Sequence, residues 1–452
     1  MYSRKLAEFT SQLRYEDLPQ DVIDTTKKCI LDIIGVAIGG SNKPASEIWL
    51  DTLNSFGGPE EASLWMPGFP KMSYLYASCA NAAFGHVLDM DDLHNSSITH
   101  LAVITVPAAI AMGERMGKSG QDIINAVVAG YDVGARIGDA INPSAYWFWH
   151  TTGVAGNFSA AATAGKLLNL DAEQMNHCFG TAGSQAAGLW EFMNDGAMSK
   201  TVHVGKACMN GIIAAELASR GFTGATRILE GDKGFVKAVA KGYDLDALTR
   251  DFGQPYKVMT NSFKPYACCR HTHSANYAIQ QLIKEKGLKA ENVETILDRT
   301  YSTAVDLADN PAPKTLYGHK FSLQYCIAAA LVYGDVLDNV FTEEATTNPL
   351  VQETMKKVAI KLDKAIDAEY KANPEKWIHE LDVKMKDGQN HHIRVEYPIG
   401  DFNNPFDWDM ADNKFKNVTA EFLNAKEQEA LLDKIHNLEK IDNINDLFNF
   451  NN

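Results

Sequence analysis

The sequence predicts a mainly α protein, with a large all-helical domain and a smaller α+β domain. Three observations carry that prediction. Apolar residues recur at helical spacing through the first 260 positions, in segments rich in Ala and Gly. Beyond about residue 290 the pattern changes to alternating runs with a hairpin signal, and from residue 402 amphipathic helical spacing returns. At 452 residues the chain is also too long for one ordinary core.

The elements follow in order. "DVIDTTKKCILDIIGVAIGG" has helical spacing and stops at a Gly pair, a C-terminal signal. "LYASCANAAFGHVLD", "VITVPAAIAMGERMG", "GQDIINAVVAGYDVGARIGDAI", "TGVAGNFSAAATAGKLLNL" and "VGKACMNGIIAAELASRGF" are helices apolar nearly all round. Their small residues let axes approach closely, which predicts a large multi-helix core. "VETILDRTYSTAVDLA" and "ELDVKMKDGQNHHIRVEYPIG" read as strands, the second folded at Asp387-Gly388. "SLQYCIAAALVYG" and "NPLVQETMKKVAIKLD" between them read as helices. "FDWDMADNKFKNVTAEFL" and "EQEALLDKIHNLEKI" are amphipathic helices that need a surface to pack on. They are expected to rejoin the helical domain, giving 1–262 with 402–452 as one domain and 263–401 as the other.

The formal net charge of −15 argues against nucleic acid or an anionic membrane as partner, since both need a basic face. No apolar run approaches the roughly 20 residues of a membrane span, and the first residues carry no apolar leader core. Seven cysteines, an odd count without C-x-x-C spacing, predict reduced thiols in a cytoplasmic compartment. Adjacent Cys268 and Cys269 read as structural.

Five segments carry chemistry. "GHVLDMDDLHNSSITHLAVITVPAAIA" places Asp89, Asp91 and Asp92 among His86, His94 and His100, ahead of an apolar helix. Acids there serve the helix dipole, but their density exceeds what capping needs. A metal reading finds no ligand template in the spacing, and a D-x-D-D acid motif of helical terpenoid cyclases is a short match. His150, in "YWFWHTTGVAGNFSAAA", is either a bonded core histidine or an imidazole in a dry pocket. Lys200 opens a helix whose dipole it opposes, which leaves it poorly explained as a stability device, whereas Lys206 snorkels. Lys264, Arg270, His271 and His273 crowd a turn before a helix, either as an anion site or as a basic surface loop. Tyr325 sits at the inner edge of an apolar helix, usually a packing position.

In this order the segments resemble the MmgE/PrpD family, which includes 2-methylcitrate dehydratases, cis-aconitate decarboxylases and iminodisuccinate epimerases. "CILDIIGVAIGG", "NAAFGHVLDMDDLHNSSITH", "FWHTTGVAGNFSAAATAGKLL", "SKTVHVGKACMNG", "FKPYACCRHTHSA", "KFSLQY" and "PIGDFNNPFDWDMADNKF" carry the likeness over nearly the whole length. The resemblance implies a helical domain built from both chain ends, an α+β lid, a homodimer, and no metal or organic cofactor. It implies Asp89, His100, His150, Lys200, Lys264 and Tyr325 as catalytic residues. Leu93 and Leu101 stand where the family commonly has Thr and Pro, and the Asp89 to His100 spacing is one residue longer than in the decarboxylases.

These readings together predict a cofactor-free lyase for a small anionic di- or tricarboxylic acid. Dehydration of a 2-hydroxy acid such as 2-methylcitrate comes first, with decarboxylation or epimerisation as alternatives and a non-catalytic binding or scaffold member more remote. Lys200 and Lys264, with Arg270 as a third cation, would stabilise carboxylates and the charge developing on carbon. His100 and His150 would form the acid–base pair, Asp89 would orient His100 or share its proton, Tyr325 would hydrogen-bond the substrate or protonate a leaving hydroxyl, and Leu93 would line the substrate pocket.

Overall fold

The computed structural model describes residues 1–449. The final positions of the expected helical domain, 450–452, lie outside the described residues. The chain divides into two compact units. The first comprises Met1–Val87, Asp91–Phe263 and the chain from Asp407 onward; the second comprises Leu88–Met90 and Lys264–Phe406.

The central helices of the first unit are rich in small residues and apolar on nearly every side. In the Thr151–Leu167 helix every residue except Lys166 is buried. The Lys200–Ser219 helix packs along it. A Cβ on Gly211 would stand 2.4 Å from the Cβ of Ala160 and 2.5 Å from the backbone nitrogen of Ala161, so this approach requires glycine. The Tyr74–Val87, Ala102–Met116 and Gly120–Ile141 helices complete the layer around them. Ser119 and Asp122 form a reciprocal capping box at the start of the last. A short antiparallel ribbon, Leu93–His94 against Asn261–Ser262, is the unit's strand pairing.

The C-terminal helices, Trp408–Thr419 and Ala425–His436, pack on the Gln20–Gly40 helix. Lys414 reaches Asp32 at 2.6 Å, both buried. Phe415 is buried beside them. The amphipathic pattern thus finds its apolar partner in the N-terminal part of the chain.

In the second unit a four-stranded sheet runs in the order Val358–Leu362, Val293–Thr300, His379–Met385, Asn390–Val395. The first pair is parallel and the others antiparallel. The Asp387-Gly388 turn closes the last hairpin, with Gly388 at φ +89°. Two element readings need correction. "VETILDRTYSTAVDLA" is a strand only to Thr300, after which Ser302–Ala308 is helical, its entry held by Asp367, which accepts from the backbone and hydroxyl of Ser302. "NPLVQETMKKVAIKLD" is a helix only over Pro349–Met355, and its "VAIKL" becomes the Val358–Leu362 strand.

No helix among the described residues is long and apolar enough to cross a membrane. All seven cysteines are free and buried.

Candidate active site

The acid-rich stretch resolves into three separate tasks. Asp92 does the capping: its carboxylate accepts from the backbone N–H of Ala102 at 3.1 Å, at the mouth of the apolar helix, and from the hydroxyl of Tyr131. Burial, with the fields of Asp91 and Asp32, pushes its carboxyl up to about 8, although Tyr131 and Ala102 act in the opposite sense. That shift favours the protonated form of Asp92 near neutral pH.

Asp91 does something else. Its Oδ2 lies 2.7 Å from Nδ1 of His86 and 3.1 Å from Nδ1 of His100. Burial opposes its charge, but the two histidines outweigh burial and hold the carboxyl well below its ordinary range. His86, at the end of the Tyr74–Val87 helix, is itself brought down to about 4, first by burial and against the pull of Asp91. One fully buried anion thus serves two imidazoles, one of them neutral.

His150 joins these rings from the start of the Thr151–Leu167 helix. Its backbone N–H donates to Gly188, and its neighbour Trp149 bridges Leu189, which anchors the segment to the 188–190 turn. Its ring stacks on His86 with centroids 5.4 Å apart, and lies 6.4 Å from His100 and 4.9 Å from Trp190. Nε2 of His150, Nε2 of His86 and Nε1 of Trp190 are all buried without a protein partner. Lys200, 6% exposed, starts the neighbouring helix. Its charge acts on His86, His150 and His203, depressing all three. The cluster is buried, with the Lys200 charge acting on its rings and the Asp91 carboxylate between two of them.

Among the described residues, His86, Asp91 and His100 form the one grouping with metal-ligating atoms close together, within 4.8 Å. Both Nδ1 atoms face the same carboxylate oxygen at hydrogen-bond lengths. His86 makes a hydrogen bond to that oxygen, whereas Nδ1 of His100 reaches it at ion-pair distance without hydrogen-bond geometry. His94 is a satisfied core histidine, bonded to Ser97 and Thr260 at 2.8 Å each.

The second unit holds other expected residues. Asp89, a non-glycine residue at φ +58°, pairs through Oδ1 with Nζ of Lys264 at 3.0 Å, both buried. Arg270 pairs with Asp401 at 2.8 Å and lies over Trp377. The turn around it is buried, so it is no basic surface loop, and its cations already hold carboxylates. His271 bonds Tyr301 and His273 bonds the Cys268 carbonyl. Tyr325 donates its hydroxyl to the carbonyl of Val340.

Sequence profiles of the MmgE/PrpD N-terminal and C-terminal domains match residues 4–248 and 266–440. The chain belongs to the MmgE/PrpD family. The C-terminal profile runs past residue 406 into the helices that complete the first unit. The cis-aconitate decarboxylase of Aspergillus terreus is 26% identical, matching 98% of this chain and 94% of its own. The cis-aconitate decarboxylase of Mus musculus is 25% identical over 95% and 89%. A mitochondrial 2-methylcitrate dehydratase of Yarrowia lipolytica is 26% identical, but over only 27% of this chain.

Within this MmgE/PrpD protein, the first unit brings His100, His150 and Lys200 together with His86, Asp91 and His203. In the first unit the carboxylate beside His100 is that of Asp91, and in the second unit Asp89 pairs with Lys264. Asp89 takes the left-handed backbone that Asp tolerates, so the two acids, two residues apart, serve different groups. Leu93 and Leu101 are core residues, the first in the ribbon with Asn261–Ser262 and the second packed where a Cβ on Gly134 would stand. His203 escaped sequence reasoning although it lies one helical turn beyond Lys200, and that spacing was its signal.

Proposed function

We propose that this protein is a lyase for a small di- or tricarboxylic acid, with decarboxylation of a cis-aconitate-type substrate as its first activity. The observation that carries the reading is one buried set in the first unit: an anion shared by two imidazoles, a third imidazole with an open nitrogen, and a lysine. The relatives matched along the whole chain bear a decarboxylase name, which moves this reaction ahead of the dehydration expected from the sequence.

In such a step the carbon–carbon bond to one carboxylate breaks and carbon dioxide leaves. The electron pair stays on carbon, delocalised toward a neighbouring carboxylate, and one proton must then be delivered to carbon. Lys200 fixes a remaining carboxylate and stabilises the developing charge in a site from which water is excluded. His100 supplies the proton, with the Asp91 anion balancing its imidazolium before transfer. Asp89, Lys264, Arg270 and Tyr325 spend polar atoms within the second unit and receive no part in these steps.

A second reading, dehydration, is favoured by one observation: His150 is held neutral with Nε2 unbonded, which suits removal of a proton alpha to a carboxylate. Incubation with cis-aconitate, 2-methylcitrate and related acids, followed by NMR, separates the two. Loss of a carboxylate supports the first reading, loss of a hydroxyl the second, and no change in any acid rejects both.

A further inference from the structure

His150 and His203 meet through the same kind of nitrogen. Nδ1 of one lies 3.1 Å from Nδ1 of the other. Burial, reinforced by His86 and Lys200, holds His150 well below its ordinary value, and burial with Lys200 brings His203 down to about 4. Both rings are neutral at pH 7, so each carries one proton and only one proton lies between them. The far nitrogens decide which ring owns it. Nε2 of His150 is buried without any partner, and an N–H stranded there costs more than a stranded lone pair. Nε2 of His203 belongs to a half-buried side chain, where water can accept from an N–H.

The contact is built. Gly188, at φ +145°, and Gly153 lie so close to His203 that a Cβ on either would stand 3.1 and 3.0 Å from its side-chain atoms. The ring of Phe192 meets His203 edge-on at 5.6 Å. Helix position sets the rest, because His203 follows Lys200 by one turn.

We propose that His203 is a positioning residue for His150: by accepting the Nδ1–H of His150 it fixes the tautomer in which Nε2 of His150 is an open lone pair. No assignment above gives His203 a role. The inference rests on the reading of this cluster as the acid–base site, but its physical content, the tautomer, does not depend on any substrate.

The test is nitrogen NMR on protein carrying 15N-labelled histidine, with the His150 signals assigned through His150→Gln. The wild-type protein is expected to show Nδ1 of His150 protonated and Nε2 bare. A proton on Nε2 overturns the proposal without any further variant. In His203→Phe, which keeps a ring but no nitrogen, the His150 proton should redistribute to Nε2. In His203→Asn, whose amide accepts at the same place, it should stay on Nδ1. If the activity found is dehydration, in which the open Nε2 of His150 removes a proton, kcat should fall about tenfold or more in His203→Phe with KM within about twofold, and recover in His203→Asn. An unchanged His150 tautomer in His203→Phe overturns the inference even if the enzyme is active. If the wild type turns over no acid at all, the functional reading fails while the spectra still decide this one.

Discussion

The carboxylate of Asp91 stands 2.7 Å from Nδ1 of His86, with neither side chain exposed to solvent, and the same oxygen reaches His100 at 3.1 Å. An anion so deeply buried is held by what it orients. Asp91→Asn keeps the shape but removes the negative charge that lies between His86 and His100. Acid–base groups contribute about 10²–10⁴ in rate. We therefore expect kcat to fall at least about 100-fold, with the melting temperature still that of a folded protein. A variant that retains full turnover of every acid accepted by the wild type would remove Asp91 from the chemistry.

Acid should destabilise this fold earlier than its carboxylates alone would. Burial holds His86 and His94 near 4 and His271 near 3, and depresses His150 and His273 well below 6.5. In the unfolded chain these rings take up protons near 6.5. The folded form stays neutral, so the unfolded state binds more protons and stability falls as pH drops from about 6.5 toward 4. Each ring contributes up to ~1.4 kcal/mol per pH unit in that window. Urea midpoints at pH 7.5, 6.5 and 5.5 check this, and midpoints that do not move would contradict it.

Asp92 runs the other way. Its folded carboxyl keeps a proton up to about 8, whereas the unfolded one releases it near 4. Between those values the folded state binds more protons, so this group removes stability as pH rises. Asn cannot ionise, and its amide still accepts from Ala102 and meets Tyr131. Asp92→Asn should gain on the wild type as pH climbs from 5 to 8, then level off. The difference between the two proteins cancels the histidine slope, so a constant difference would place the Asp92 carboxyl near its ordinary value.

Much of this architecture was legible because burial on all sides writes itself into composition. Thr151–Leu167 and Lys200–Ser219 come together where Gly211 meets Ala160 and Gly156 meets Ala207, and that excess of Ala and Gly is visible without coordinates. What misled were elements decided by distant partners. "VAIKL" alternates as a strand should, but the neighbour that makes it one, Val293–Thr300, lies some sixty residues earlier. Val305 and Thr303 favour strand by propensity, yet the Asp367 contact to Ser302 turns that segment into a helix. At the site, residue types were readable and pairings were not. Asp89, Asp91 and Asp92 are equivalent as letters, and only the left-handed backbone at Asp89 separates its partner from theirs.

That separation can be tested inside the second unit through Lys264. Its ammonium and the Asp89 carboxylate are both buried, 3.0 Å apart. Removing one member of a buried pair strands the other charge, which costs about 3–5 kcal/mol. Lys264→Met should therefore destabilise strongly. Asp89→Asn keeps a side chain that accepts positive φ, so its cost reflects the lost charge and carries little backbone strain. Because each single variant breaks the same buried ion pair, the double variant Asp89→Asn with Lys264→Met should cost less than the two singles added together, by more than about 1 kcal/mol. Chemical denaturation of all four proteins at pH 7 gives the coupling. Strict additivity would mean that the two groups are solvated independently and that Asp89 is not held by Lys264.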